Sequence, residues 1–112
     1  MKYLFLIRVD PDTEATDAEA NPVPWITEMD ERGARIVGNR LRPASEAKVV
    51  RIRRGEVLAT EGPFTEAKEL IGGFDLIECA DDAEAIEIAS KHPVARFGAV
   101  EVRRFWPFDA AA

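Results

Sequence analysis

The N-terminal segment of the chain is apolar at both its odd and its even positions. Residues 2–9 have the sequence KYLFLIRV, with Tyr3, Phe5, Ile7 and Val9 on one face of an extended strand and Leu4 and Leu6 on the other. A strand of this kind needs packing against both faces. The pattern therefore predicts a central strand with a layer of structure on each side.

Two later segments place apolar residues at helical spacing. The first begins at Asn21-Pro22, which suit a helix cap and a first turn, and it ends near Gly33. The second begins at Asp81, with Glu84 at the spacing of a capping box, and it ends before Pro93. The predicted buried faces are Trp25, Ile26 and Met29 in the first helix and Ala85, Ile86, Ile88 and Ala89 in the second.

The remaining segments are strand-like, with one exception. Residues 47–60 form a predicted hairpin that turns at Arg54-Gly55. The acidic segment 10–20 has no large apolar side chain, so we predict an exposed loop there. The other predicted strands are residues 35–41, 74–79 and 99–105.

The order of these elements predicts an α+β fold of the ferredoxin-like, split βαβ type, with the hairpin as an insertion. The chain has 112 residues and no linker or repeat, so residues 1–112 are predicted to be one domain. Two helices can cover only one face of the sheet. Because the first strand is apolar on both faces, we expect a second copy of the chain to cover the other, which makes the protein a homodimer.

Composition narrows the possible partners. The net charge of −6 disfavours binding to nucleic acid. Four basic residues of the hairpin, Lys48, Arg51, Arg53 and Arg54, are best explained as a solvated surface that protects an edge. The single cysteine, Cys79, excludes an internal disulfide, and the first apolar run is too short for a membrane span or a secretory signal. We therefore expect a cytoplasmic protein without membrane contact.

Residues 61–74, EGPFTEAKELIGGF, resemble the DGPF signature of the YCII-related family. The positions that match are Gly62, Pro63, Phe64, Glu66, Lys68, Glu69, Gly72 and Gly73, and Glu61 replaces the usual aspartate. The segments MKYLFLIR, RLRPASEAKVVR and HPVARFGAVEVR extend the resemblance over nearly the whole chain. It implies a subunit that dimerises through its sheets as a dimeric α+β barrel, and a possible regulatory link to extracytoplasmic-function sigma factors. No activity is implied.

The related YciI-type proteins carry a His-Asp pair that suggests acid–base chemistry. The resemblance places that His in the first helix and the Asp before a proline that ends the second helix. This chain has Pro24 and Trp25 in the first helix and His92 at the position before Pro93. The His-Asp pair therefore has no matching residues at these two positions of this chain.

His92 is the only histidine and the first candidate for chemistry. It could act as a general acid or base at the edge of a cleft. Alternatively it caps the helix, where a protonated imidazole is favoured and can bind a free carbonyl. Arg103 shares a strand face with Glu101 and would bind a carboxylate or phosphate if that face lined the barrel, or else form an ion pair.

The segment from Glu61 to Glu69 is a second candidate region. Its charged residues Glu61, Glu66 and Lys68 form either a ligand-facing wall or a structural corner in which Gly62-Pro63 turns the chain and directs Phe64 inward. A pocket is predicted between this segment and the end of the second helix. There His92 would meet Glu61, Glu66 or a shared ligand. A carboxylate partner would raise the pKa of His92, whereas burial without one would lower it.

Three functions remain open. The first is a ligand-binding or regulatory dimer without turnover, and the second is a small-molecule enzyme that uses acid–base chemistry in the barrel cavity. The third is a structural or protein-interaction role for which Trp25, Phe64, Phe74 and Trp106 would supply core or interface. No phosphate loop, dinucleotide fingerprint or metal-ligand spacing is present, so neither a cofactor nor a metal is predicted.

Overall fold

A computed structural model describes residues 1–10, 12–62 and 70–110 of the chain. Its strands are β1 (Lys2–Val9), β2 (Arg35–Arg40), β3 (Lys48–Arg53), β4 (Glu56–Glu61), β5 (Leu70–Glu78) and β6 (Ala99–Arg104). Its helices are α1 (Asp17–Ala20), α2 (Val23–Glu31) and α3 (Asp82–Ser90), with short 3-10 turns at Ala44–Glu46 and Pro93–Arg96. No helix within the described ranges is long and apolar enough to cross a membrane.

Four of the strands form one antiparallel sheet in the order β2-β5-β1-β6. The strand β1 lies inside the sheet between β5 and β6, as the apolar pattern of both its faces predicts. The hairpin of β3 and β4 forms a separate two-stranded sheet. The predicted α+β class and the inserted hairpin are therefore confirmed.

The two longer helices pack against one face of the sheet. Buried side chains on this face include Tyr3 and Phe5 of β1 and Ile77 of β5. The helices contribute Trp25, Met29, Ala85, Ile88 and Ala89 to the same cluster. On the opposite face of β1, Leu4 and Leu6 are only half-buried.

The start of α3 follows the predicted capping pattern. The side chain of Asp81 accepts a hydrogen bond of 2.9 Å from the backbone N–H of Glu84, and the Glu84 carboxylate accepts one of 3.0 Å from Ala80 N–H. The predicted apolar stripe is wrong at Ile86, which is 63% exposed, because only Ala85, Ile88 and Ala89 point into the core.

The hairpin turn also forms where the sequence predicts it. Arg54 and Gly55 have φ values of 52° and 77°, so both central residues of the turn adopt the left-handed conformation. Two consecutive residues of this kind define a type I′ turn, whose twist matches that of the flanking strands.

Two segment predictions are wrong in part. Residues 12–20 of the acidic segment are exposed, as expected, but they contain the helix α1, because Thr16 and Glu19 form a reciprocal capping box. The strand predicted at residue 74 begins at Leu70, because Gly72 and Gly73 continue the ladder with β1 and β2. The predicted turn at Pro63 and the inward position of Phe64 lie outside the described residues.

The cap of α3 can be tested with two substitutions at one position. Asp81→Ala removes the acceptor for the Glu84 N–H and should lower the free energy of unfolding by about 1 kcal/mol. Asp81→Asn keeps an acceptor oxygen and should cost clearly less. Urea unfolding of both variants measures the difference, and equal losses would show that the side chain does not cap the helix.

Candidate functional site

A cavity of about 670 Å³ lies at one end of the helix-covered sheet face. Strands β1, β2 and β5 form its floor, and the segments that follow β1 and α3 form its walls. Its apolar lining includes Ile7, Ile26, Phe74, Val94 and Phe97. Its polar lining includes Arg35, Asn39, Arg40, Asp75 and His92, with Asp10 and Thr13 from the acidic segment.

Three glycines lie in the cavity lining at this end of the sheet. Gly38 of β2 and Gly72 and Gly73 of β5 all line it. At the other end of the same sheet face, Tyr3, Phe5 and Ile77 fill the space against the helices. A Cβ at Gly38, Gly72 or Gly73 would meet Asp75, Val9 or the Asn39 backbone, so these glycines permit close contacts in the cavity wall.

His92 lies in the wall of the cavity, and it is 6% exposed. Its Nδ1 accepts a hydrogen bond of 3.0 Å from the backbone N–H of Val94, which caps the turn Pro93–Arg96. Because Nδ1 is an acceptor, a neutral imidazole carries its proton on Nε2. The expected helix-end cap that binds a free carbonyl is therefore wrong, since this nitrogen accepts from an N–H group.

Burial sets the charge of His92. Removal from water lowers the pKa of the imidazole to about 4, so the ring is neutral at neutral pH. The ring of Trp25 lies beside it with ring centroids 4.7 Å apart, and the Trp25 Nε1 donates a hydrogen bond of 2.9 Å to the carbonyl of Ile88. Trp25 thus fixes one wall of the imidazole site from α2.

Asp75 is the second ionisable group in the cavity that is almost fully buried, at 5% exposure. Nε of Arg35 donates a hydrogen bond of 2.8 Å to its Oδ1. Burial raises the pKa of the Asp75 carboxyl, while the Arg35 guanidinium acts in the opposite direction. The carboxyl is therefore a stronger base than a solvated aspartate.

Gly38 makes room for this ion pair. It lies directly opposite Asp75 in the β2–β5 ladder. A Cβ atom at Gly38 would overlap Oδ1 of Asp75 and would lie 2.7 Å from an Arg35 guanidinium nitrogen and 2.8 Å from the Phe74 carbonyl oxygen. Any side chain at this position would displace the pair.

The other residues proposed from sequence lie elsewhere or outside the described ranges. Glu61 is exposed on β4, does not line the cavity, and binds Lys48 at 2.7 Å across the hairpin. Arg103 is exposed on β6 and contacts Glu101 at 3.2 Å. Glu66 and Lys68 lie outside the described residues. The structure thus places His92, but neither Glu61 nor Arg103, in the cavity.

Sequence reasoning missed Arg35 and Asp75. A signal was present, because Asp75 interrupts the apolar strand FDLIEC at an inward-facing position between Gly73 and Ile77. A carboxylate at such a position needs a cationic or hydrogen-bonding partner. The strand pairing that supplies Arg35 joins residues 40 positions apart in the chain.

The arrangement supplies a neutral N–H donor, a buried carboxylate and a guanidinium within a largely apolar cavity. Among the residues that the structure describes, no three His, Cys, Asp or Glu side chains are grouped so that they could hold a metal ion. The chemistry that these groups can perform is hydrogen bonding to a ligand oxygen and proton transfer.

The neutral state of His92 makes the protein sensitive to acid. Unfolded His titrates near its ordinary pKa, and the folded residue titrates near 4, so the unfolded state binds more protons between these values. Stability is therefore lost as the pH falls through this window. From this group alone, the free energy of unfolding should drop by about 2 kcal/mol between pH 7 and pH 5.

His92→Asn is the matched control, because an Asn oxygen can accept from the Val94 N–H but does not titrate. Urea unfolding of the variant should show a loss between pH 7 and pH 5 that is smaller by about the same 2 kcal/mol. Identical pH profiles for the two proteins would contradict a lowered pKa of His92.

Gly38→Ala tests the space that the ion pair requires. Because the added methyl group would overlap Asp75, we expect the free energy of unfolding to fall by roughly 1–3 kcal/mol. Part of this loss should disappear in an Asp75→Ala background, as a double-mutant cycle would measure.

Gly72→Ala is a control in the neighbouring strand, since the three atoms nearest to its Cβ all belong to the Val9 side chain, the closest at 3.1 Å. It should cost less than Gly38→Ala. If the effects of Gly38→Ala and Asp75→Ala on the free energy of unfolding were additive, the methyl group at position 38 would not clash with the Asp75 carboxylate.

Known proteins resemble the chain at the levels of fold and sequence. A solved structure of the 5-chloro-2-hydroxyhydroquinone dehydrochlorinase TftG from Burkholderia phenoliruptrix AC1100, in complex with 2,5-dihydroxybenzoquinone, superposes with a TM-score of 0.55. The match covers 95% of this chain and 94% of that chain at 15% identity, so it shows a shared fold.

Sequence comparison adds a relative and a family. The uncharacterized protein R00369 of Rhizobium meliloti (strain 1021) is 44% identical over 50 residues, which are 45% of this chain and 40% of that protein. The chain thus spans less than half the length of this relative. The profile of the YCII-related domain matches residues 1–109, and the chain therefore belongs to the YCII-related domain family.

Proposed function

We propose that the cavity binds a small cyclic molecule with a carbonyl or enol oxygen and that Asp75 and His92 promote proton transfer on it. The observation that carries the proposal is the presence of a buried carboxylate and a neutral imidazole in the lining of one largely apolar cavity. Groups whose environments shift their pKa values in a cleft are candidates for acid–base roles.

His92 acts as the donor in this proposal. Its Nε2 has no hydrogen-bond partner among the described residues. Since no fully buried side-chain nitrogen or oxygen of these residues lacks a partner, Nε2 is accessible from the cavity or from solvent. A neutral N–H group can donate to a carbonyl oxygen and continue to donate as that oxygen gains negative charge. A protonated imidazole would instead transfer its proton readily.

Asp75 acts as the base. Oδ1 accepts a hydrogen bond from Arg35, and Oδ2 has no partner among the described side chains. Since no fully buried oxygen of these side chains lacks a partner, Oδ2 is accessible from the cavity or from solvent. Oδ2 would accept a proton from the carbon beside the ligand carbonyl, and the electron pair of that C–H bond would move to form an enolate. Arg35 would then stabilise the neutral acid less than the carboxylate, which favours return of the proton.

The fold neighbour supports the choice of ligand class. It is named a dehydrochlorinase of a chlorinated hydroxyhydroquinone, and its structure contains a dihydroxybenzoquinone. Both names describe six-membered rings with oxygen substituents. A cavity of about 670 Å³ with an apolar lining has room for a molecule of that size.

A binding or regulatory role without turnover is the second candidate. It is favoured by the fact that Nδ1 of His92 and Oδ1 of Asp75 are already engaged by structural partners, Val94 and Arg35. Groups held in this way suit recognition of a ligand as well as chemistry on it. The link to sigma-factor systems and the cytoplasmic location stay predictions.

The assembly proposed with either function is a homodimer in which ferredoxin-like subunits form a dimeric α+β barrel. Its support is the sheet face that carries Leu4 and Leu6, which no helix of the described chain covers. Carboxylate-rich composition argues against nucleic acid as a partner.

Two probes separate the candidate functions. Binding of 2,5-dihydroxybenzoquinone is measured by calorimetry, and exchange of the α-hydrogens of cyclohexanone in deuterated water is followed by NMR. Asp75→Asn keeps an acceptor for Arg35 but removes the base, so it should slow the protein-dependent exchange by about 100-fold or more and leave the affinity for the quinone nearly unchanged.

His92→Asn is expected to weaken quinone binding by about tenfold, since the donor at the Nε2 position is lost, the shorter Asn amide does not reach it, and the cap of the Pro93–Arg96 turn is kept. Binding without exchange would support the regulatory candidate. Exchange that continues at the native rate in Asp75→Asn would contradict the assignment of the base.

A further inference from the structure

Arg40 is the last residue of β2 and lies on the cavity face of the sheet. In the β2–β5 ladder it is directly opposite Gly73, and Gly38, two residues earlier, is opposite Asp75. Residues directly opposite each other in an antiparallel pair, and residues two apart in one strand, project to the same face. Arg40 and Asp75 are therefore diagonal neighbours with Cβ atoms about 7 Å apart, and both line the cavity.

The sheet surface next to Arg40 is open. Gly73 carries no side chain, and a Cβ there would lie 2.9 Å from the carbonyl oxygen of Asn39 and 3.5 Å from the Cα of Arg40. On the other side of Gly73, the next strand has Ile7 at the paired position. The floor of the cavity at this point thus has a guanidinium on one side, an apolar side chain on the other and no side chain between them.

The two arginines of the cavity lining differ in their partners. The Arg35 guanidinium contacts two carboxylates, Asp75 at 2.8 Å and Asp30 at 3.5 Å, so its charge is compensated within the protein. Arg40 is exposed, and its guanidinium forms no hydrogen bond or ion pair with a residue in the part of the chain that the structure describes. A guanidinium is always charged, so Arg40 brings an uncompensated cation to the cavity.

Asp10 is the acidic lining residue that could compete with a ligand for Arg40. It follows β1, and the sheet order places β5 between β1 and β2. Two strand spacings separate the backbones of Asp10 and Arg40 by at least about 10 Å. The Asp10 Oδ1 also accepts a hydrogen bond of 2.9 Å from the Asp12 N–H. Arg40 is therefore available to an anion that enters the cavity.

We propose, on the basis of the proposed function, that Arg40 is a specificity-determining residue that selects ring ligands with an ionised oxygen, a carboxylate or an enolate. This oxygen accepts hydrogen bonds from the Arg40 guanidinium while the carbon beside the ligand carbonyl faces Asp75. A guanidinium can bind a planar carboxylate through two parallel hydrogen bonds, which fixes orientation as well as position. The Asp75 carboxylate would repel such a ligand, and Arg40 supplies the compensating charge.

Two quinones with the same ring test the preference for an anion. Each hydroxyl of 2,5-dihydroxybenzoquinone is conjugated to a carbonyl, which makes it a vinylogous carboxylic acid that is ionised at neutral pH. The ring of 2,5-dimethoxybenzoquinone is the same, but this compound cannot ionise. Calorimetry at neutral pH should show that the wild-type protein binds the ionised quinone at least about tenfold more tightly than the neutral one.

Arg40→Gln removes the charge and keeps a polar side chain. It should weaken binding of the ionised quinone by about tenfold or more and change binding of the neutral quinone by less than about twofold. Arg40→Lys keeps the charge without the planar fork of donors, so it should lose less affinity than Arg40→Gln.

Arg104→Gln is the matched control. Arg104 is an exposed arginine of β6 that does not line the cavity, so the same change of charge there should leave both affinities unchanged. Circular dichroism confirms that each variant is folded.

Three results would overturn the selection of anions by Arg40. They are no binding of the ionised quinone at millimolar concentrations, equal affinities of the wild-type protein for the two quinones, and equal losses of affinity in Arg40→Gln and Arg104→Gln. Failure of the acid–base function gives a different result. If cyclohexanone exchange does not depend on Asp75 while Arg40→Gln abolishes the preference for the ionised quinone, the anion site is supported and only the assignment of the base is wrong.

Discussion

Unequal filling of one sheet face determines the architecture of this protein. Large side chains such as Tyr3, Phe5 and Ile77 occupy the space beneath the helices at one end of the sheet. Glycines at positions 38, 72 and 73 occupy the corresponding strands at the other end. The filled end stabilises the fold through burial of apolar area, and the empty end becomes the cavity. One sheet therefore supports both a core and a binding site.

The electrostatic properties of the cavity follow from the same geometry. A void bounded by Ile7, Phe74 and Val94 has a low effective dielectric constant, so charged groups in its walls are costly unless they are paired. The charge of Asp75 is paired with Arg35. His92 avoids the cost because its ring is neutral. These two solutions leave a carboxylate of raised pKa and an N–H donor in the lining of the same cavity, which is the combination that proton transfer next to a carbonyl requires.

Local signals in the sequence were sufficient for much of the fold. The cap at Asp81, the turn at Arg54-Gly55 and the end of α2 near Gly33 depend on residues within a few positions of one another, and the structure confirms them. The buried positions of Trp25 and Met29 follow from helical spacing alone. The YCII-related family was also identified correctly from its motif.

The errors and omissions arise where distant segments decide the outcome. The predicted strand began only at residue 74, yet pairing with β1 and β2 holds Gly72 and Gly73 in the sheet as well. The Arg35–Asp75 pair depends on the register between β2 and β5, which no local pattern specifies. His92 was expected to meet Glu61, Glu66 or a shared ligand, with a pKa lowered by burial as the alternative. Glu61 lies elsewhere, and the burial of His92 follows from the packing of Trp25 and the turn after α3.

The proposed site depends most directly on a neutral His92 that carries its proton on Nε2. Because the chain has one histidine, a long-range proton–nitrogen correlation spectrum of the labelled protein reports both its charge and its tautomer without assignment ambiguity. The expected spectrum at neutral pH is that of a neutral ring with the proton on Nε2, as the acceptor role of Nδ1 requires. A doubly protonated ring, or a neutral ring with the proton on Nδ1, would contradict the site.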